Sequence, residues 1–171
     1  MSAKTVYLSL GANVGDRAAA LQRAIEELSA PDFRITAVSS VYETEPQGFT
    51  AQPWFLNAVV QATTDSYPMV LLHRIQAIER RMGRRRTVPK GPRAIDIDIL
   101  LFGNFVVETA ELRIPHPGLV ERRFVLEPLC ELAPELRHPE NRRTMRELLA
   151  GVAGQRVKKT SFTLRLSAIG L

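Results

Sequence analysis

Alternation of apolar and polar positions dominates the first hundred residues. Val6, Leu8 and Leu10 alternate with Thr5, Tyr7 and Ser9, which predicts a first strand over 4–10. A turn at Gly11-Ala12-Asn13-Val14-Gly15-Asp16 follows. Asp16 is placed to cap a helix to about Leu28, with Leu21, Ile25 and Leu28 on one stripe. Phe33 to Tyr42, rich in Ile, Val, Thr and Ser, predicts a second strand. Pro46, Gly48 and Pro53 then mark a loop long enough to suggest function. Trp54 to Thr63 predicts a third strand. Leu56, Ala58, Val60 and Ala62 share one of its faces, and Phe55, Asn57, Val59 and Gln61 share the other.

Pro68 favours a second helix start, Leu71, Ile75, Ile78 and Met82 form its stripe, and Gly83 fits its stop. A basic loop over 84–94 leads into a strand on which Ile95, Ile97, Ile99 and Leu101 share one face and Asp96 and Asp98 the other. Strand, helix, strand, strand, helix, strand predicts an α+β, ferredoxin-like βαββαβ core, an antiparallel sheet with helices on one face. The opposite face is then open and gathers Phe55, Asn57, Asp96 and Asp98, with the acidic pair at the sheet centre. Beyond Gly103 the pattern predicts a short hairpin around 105–114 and a helical segment from Arg122 through Leu132. A last helix over 144–151 and a terminal strand from Thr160 to Leu166 complete the chain. At 171 residues, this is expected to be one domain over 1–171.

Charge changes the picture more than composition does. A net charge of +5 points to an anionic partner without choosing among nucleic acid, membrane and a small phosphate ester. The single cysteine, Cys130, rules out a disulfide framework and a cysteine-based zinc site. No signal-peptide layout and no run of transmembrane length are present, so a cytoplasmic protein is expected. Walker-type, Gly-x-Gly-x-x-Gly and protein-kinase signatures are absent.

Two carboxylates side by side on a strand repel, and each resists ionising beside the other. A hard cation between them removes the conflict, and Mg²⁺ takes carboxylate oxygens readily. Arg84, Arg85, Arg86, Lys90 and Arg93 lie just upstream, so the stretch suggests Mg²⁺ held against a polyphosphate. A solvated strand face neutralised by arginines is the alternative that the pair alone leaves open. Phe55 and Asn57 offer a stacking surface and a two-way hydrogen-bonding amide, or simply a half-buried sheet face. His116, between Pro115 and Pro117, suits an oriented side chain.

The chain resembles the 6-hydroxymethyl-7,8-dihydropterin pyrophosphokinase family of folate biosynthesis over nearly its whole length. The pieces that carry the likeness arrive in order. They are Leu8-Ser9-Leu10-Gly11-Ala12-Asn13, Tyr42-Glu43-Thr44 through Phe55-Leu56-Asn57, Glu79 with Gly83-Arg84, Gly91-Pro92-Arg93-Ala94-Ile95-Asp96-Ile97-Asp98, and Pro115-His116-Pro117 with Arg122 and Phe124. The Gly-Pro-Arg and Ile-Asp-Ile-Asp run is the specific one.

The resemblance implies transfer of pyrophosphate from ATP, the co-substrate, to the pterin hydroxymethyl oxygen, with AMP released. It implies two Mg²⁺ ions on Asp96 and Asp98, with Arg84 and Arg93 completing the catalytic set. The nucleotide would meet Gln76, Glu79, Arg84, Arg86, Arg93, Ile99, His116 and Arg122. The pterin would meet Thr44, Pro46, Phe55, Asn57, Asp96 and Phe124. Small-molecule substrates, no nucleic acid, no membrane and a monomer are the expected partners and state. Two positions depart from the pattern: Lys90 stands where tryptophan is frequent, and Arg113 where some relatives have a small hydroxylic residue.

Two other classes share parts of this pattern. A ferredoxin-like RNA-binding module would use basic residues and sheet-face aromatics, but no RNP1-type segment is present and acidic residues would repel phosphate. Asp-x-Asp also occurs in Mg²⁺-dependent nucleotidyl and glycosyl transferases. Release of pyrophosphate rather than AMP would mark nucleotidyl transfer.

Overall fold

The computed structural model describes residues 2–46, 48, 50–83 and 91–166. Strand β1 (Lys4–Ala12) passes through the Asp16-capped helix α1 (Arg17–Leu28) to β2 (Phe33–Val38) and β3 (Tyr42–Thr44). Then come β4 (Phe55–Thr64), α2 (Pro68–Arg81) and β5 (Asp96–Phe102). Every pairing is antiparallel, in the order β5-β1-β4-β3, with β2 also on β4. This is the α+β, ferredoxin-like core. The expected second strand is two strands. Ser39 replaces a ladder position with its hydroxyl, which accepts the Val59 N–H at 2.9 Å. The Ser40 N–H turns to the Glu131 carboxylate instead.

The two core helices cover one face. Val6, Leu8 and Leu10 of β1, Leu56, Ala58 and Val60 of β4 and Ile97 and Ile99 of β5 meet Leu21, Ile25, Leu71, Ile75 and Ile78 there. Leu101 is not among them. The β1–β5 register shifts between Tyr7 and Leu8, which adds a residue to β5 and puts Leu100 and Leu101 on the opposite side.

That opposite side is covered over part of its area, unlike the open face the pattern suggested. After a hairpin of β6 (Val107–Glu108) and β7 (Arg113–Ile114), a 3-10 turn at Leu119–Glu121 leads into α3 (Arg123–Leu132). Tyr7, Val59, Leu100 and Leu101 pack there against Leu119, Val125, Leu126 and Leu129. Helix α4 (Met145–Ala150), with a Thr144–Glu147 capping box, adds Met145 and Leu148. The last strand, β8, is Val157–Lys159 rather than 160–166. It pairs with all three residues of β3 and ends at Lys159, opposite Tyr42 where β3 begins, after which Thr160 bonds back to the Val41 carbonyl.

The acidic strand β5 lies at an edge of the sheet, not at its centre. An edge exposes unpaired backbone groups, and here two are taken up by side elements. Glu79 of α2 accepts the Ile97 N–H at 2.9 Å, and the His116 N–H donates to the Leu100 carbonyl at 3.0 Å.

Candidate active site

Strand register builds the floor of the site. Asp96, Gly11, Asn57 and Tyr42 lie in one row across β5, β1, β4 and β3, and Asp98, Ser9 and Val59 form a row beside it. Period 2 puts these side chains on the face away from α1 and α2. Gly11 leaves the floor bare between Asp96 and Asn57. A glycine inside a strand often marks such a close approach.

Two clefts meet over this floor. The first is lined by Thr44, Glu45, Phe55, Asn57, Arg93, Arg122 and Phe124. The second lies against the outer edge of β5 and is lined by Gln76 and Glu79 of α2, Ile97, Ile99, Arg113 and His116. Asp96 and Asp98 line both. The two aspartates are therefore the partition between a partly aromatic pocket and a polar cleft.

Each wall has its own fastening. Buried Asn57 donates to Thr44 Oγ1 at 2.6 Å. The Arg93 guanidinium lies 5.4 Å from the Phe55 ring centroid and 3.4 Å from Asp96 Oδ2. Arg122 lies 5.7 Å from the Phe124 centroid, in space that a side chain at Gly118 would fill. Both rings thus present a face that attracts cations. His116 Nδ1 accepts the Gly118 N–H at 3.0 Å, so a proton on the neutral ring belongs on Nε2, 4.0 Å from Asp98 Oδ1. Burial, with the Arg122 charge, pushes the His116 pKa down, and Asp96 pulls it partly back.

Thr44, Phe55, Asn57, Arg93, Arg122 and Phe124 gather in the first cleft, and Gln76, Glu79, Ile99 and His116 in the second. Pro46 is buried and lines neither. Arg84, Arg86 and Lys90 lie outside the described residues. Three contributors carried no assignment in the sequence reading. Gly11 forms the floor, and Glu45 lines the first cleft while bonding Arg156 at 3.3 Å. Buried Asn13 ties three segments: its side chain donates to Gln52 Oε1 at 2.8 Å and the Pro53 carbonyl at 3.0 Å and accepts the Arg93 N–H at 2.8 Å. A glycine within an alternating strand was the readable signal for Gly11, and Asn13 stood in the Leu8–Asn13 piece of the family likeness without a role; Glu45 had no signal.

The donor set bears on a metal. Among the described residues no group of three or more His, Cys, Asp and Glu side chains could hold an ion. Two carboxylates facing open clefts do not make an all-protein cage. They fit Mg²⁺, which keeps waters and binds through one or two carboxylates plus substrate phosphates.

Comparison with known proteins places the chain in a family. The sequence profile of the 7,8-dihydro-6-hydroxymethylpterin-pyrophosphokinase family matches residues 7–134. The 2-amino-4-hydroxy-6-hydroxymethyldihydropteridine pyrophosphokinase of Aquifex aeolicus is 44% identical over 143 residues, 84% of this chain and 89% of that protein. The Pseudomonas aeruginosa protein of the same name is 42% identical over 146 residues, 85% of this chain and 90% of its own. The folic acid synthesis protein fol1 of Schizosaccharomyces pombe is 44% identical over 156 residues. That match takes 91% of this chain but only 21% of fol1, so the chain spans about a fifth of that longer relative. A crystal structure of Plasmodium falciparum HPPK-DHPS wild type with pteroate superposes with a TM-score of 0.71 at 19% identity, over 88% of this chain and 42% of that one; it supports the fold. The chain belongs to the 7,8-dihydro-6-hydroxymethylpterin-pyrophosphokinase family.

Proposed function

We propose that this protein, acting as one pyrophosphokinase unit over 1–171, transfers the β,γ-pyrophosphoryl group of ATP to the hydroxymethyl oxygen of 6-hydroxymethyl-7,8-dihydropterin in folate biosynthesis. The observation that carries this reading is the partition of two clefts by Asp96 and Asp98. A reaction joining a flat heterocycle to a polyphosphate needs an aromatic pocket and a polar cleft that open onto the same charged groups.

The pterin ring is assigned to the first cleft, between Phe55 and Phe124, where stacking contributes about 0.5–1.5 kcal/mol beyond burial. Asn57 and the segment at Thr44 and Glu45 read its polar edge, and Asp96 faces the hydroxymethyl arm. The nucleotide is assigned to the second cleft, along Gln76, Glu79, Ile99 and His116. Asp96 and Asp98 are the residues that would hold two Mg²⁺ ions. Bound there, the metal supplies neutralisation of charge on the polyphosphate oxygens.

The chain's own groups supply the rest. Arg93 and Arg122, with Arg84 and Arg86 from the basic loop, orient the phosphates and disperse their charge. His116 offers an Nε2–H donor beside Asp98. The pterin oxygen attacks the β-phosphorus, and the bond from that phosphorus to the α,β-bridging oxygen breaks. Its electron pair stays with AMP, and the hydroxyl proton is lost to solvent. Positioning and charge account for the catalysis, because phosphoryl-type transfer asks for little covalent chemistry from the protein.

Incubation with ATP, Mg²⁺ and the hydroxymethyl pterin, followed by nucleotide separation, tests the reading. Pterin-dependent AMP is expected. ADP as the product would refute pyrophosphoryl transfer, and free pyrophosphate would indicate nucleotidyl transfer.

A further inference from the structure

Arg122 and Phe124 stand at a junction, with the 3-10 turn on one side and α3 on the other. A helix start leaves backbone N–H groups without internal partners, and no side chain of the N-cap residue Arg122 serves them. Gln155 reaches in from the C-terminal segment. Its Oε1 accepts the Arg123 N–H at 2.9 Å and its Nε2 donates to the Glu121 carbonyl at 2.7 Å. The two bonds straddle Arg122. The Arg123 guanidinium returns the tie, donating to the carbonyls of Ala153 at 2.9 Å and Gln155 at 2.8 Å. Gln155 lies beyond the family-matched region, which ends at residue 134. It also lines an outer groove with Phe124, Glu45 and Arg156, next to the first cleft.

We propose that Gln155 is a positioning residue for the pterin-side wall: by bracing the backbone on both sides of Arg122 it sets where Phe124 meets the ring and, more weakly, where Arg122 meets the phosphates. Gln155 lines neither of the two clefts. The helix body is held separately, by Val125, Leu126 and Leu129 in the second core, so losing the brace should loosen the first turn without releasing α3. The inference rests on the pterin assignment of the first cleft.

Three measurements on the full chain test it. Binding of 6-hydroxymethylpterin is followed by titration with Mg²⁺ and α,β-methylene-ATP present, binding of that nucleotide analogue is followed alone, and thermal unfolding monitors the fold. Gln155→Ala and Gln155→Met, the second keeping length without hydrogen bonds, should each weaken pterin binding about three- to tenfold, as expected for one or two neutral hydrogen bonds. Nucleotide affinity should fall less than pterin affinity, because Arg93 still meets the phosphates when Arg122 is loosened. In a Phe124→Ala background, Gln155→Ala should cost no further pterin affinity, which is the coupling a double-mutant cycle reads. Equal losses for both ligands, unchanged pterin affinity in both variants, or full additivity with Phe124→Ala would each overturn the proposal. Wild-type protein that binds the nucleotide but no pterin would overturn the pterin assignment itself, a different failure from either variant matching a wild type that binds both.

Discussion

Gly11 faces Asn57 across β1 and β4, and a Cβ on Gly11 would sit 2.8 Å from Asn57 Oδ1. The missing side chain is what lets Asn57 turn its amide onto Thr44 while keeping the floor open toward Asp96. Gly11→Ala should therefore displace a buried, hydrogen-bonded amide. Overpacking of this kind costs about 1–3 kcal/mol. Pterin affinity should fall more than nucleotide affinity, and Gly11→Ala should cost less stability when Asn57 is also alanine. Denaturant unfolding of the four-member mutant cycle checks the coupling.

Asp96→Ala and Asp98→Ala are each expected to reduce turnover by at least about a hundredfold, the scale of losing one preorganised electrostatic contact. The fold should survive, since both side chains line the clefts and neither belongs to a hydrophobic core. Arg93→Ala and Arg122→Ala should give smaller, graded losses. Initial AMP-release rates alongside circular dichroism check the ordering, and an aspartate variant with substantial activity would contradict the role assigned to the pair.

Glu79 carries two duties that can be separated. Its carboxylate satisfies the Ile97 N–H at the sheet edge, beside the strand that presents the aspartates. Glu79→Ala should lose about 1–3 kcal/mol of stability by stranding that donor, whereas Gln76→Ala, in the same cleft, should leave stability near wild type. Chemical denaturation of both variants distinguishes them.

The strands' sidedness was legible because period 2 holds strictly along β4 and the first part of β5. It failed at Leu101, where a register shift against Tyr7 and Leu8 leaves no mark in the alternation. The break at Ser39–Val41 was hidden for another reason. Serine and valine suit a strand, and the group that draws Ser40 away is Glu131, 91 positions along the chain. The acidic pair and its aromatic neighbours were readable as chemistry. That they form a shared wall was not, because the second cleft exists only once α2 and the His116 turn close on the edge of β5.

Acid should weaken the fold through His138. Its Nδ1 accepts the N–H groups of Glu140 at 3.2 Å and Asn141 at 3.3 Å, and burial lowers its pKa below the ordinary 6.5, partly countered by Glu140. The folded chain then binds fewer protons than the unfolded chain as pH drops below about 6.5, so stability rises with pH across that window and is lost on acidification. His116 acts in the same direction. Thermal midpoints at about pH 7.5 and pH 5.5 should differ, and His138→Gln should flatten the difference without removing it.

Simultaneous occupancy of the two clefts is the sharpest test. Hydroxymethylpterin is titrated into the protein with and without saturating α,β-methylene-ATP and Mg²⁺, and the bound pterin is counted in each case. Ligands separated by the Asp96–Asp98 wall should bind together, one of each per chain, with the pterin capacity undiminished by the nucleotide. Mutual displacement would mean that the two clefts are one site, and the account would fail.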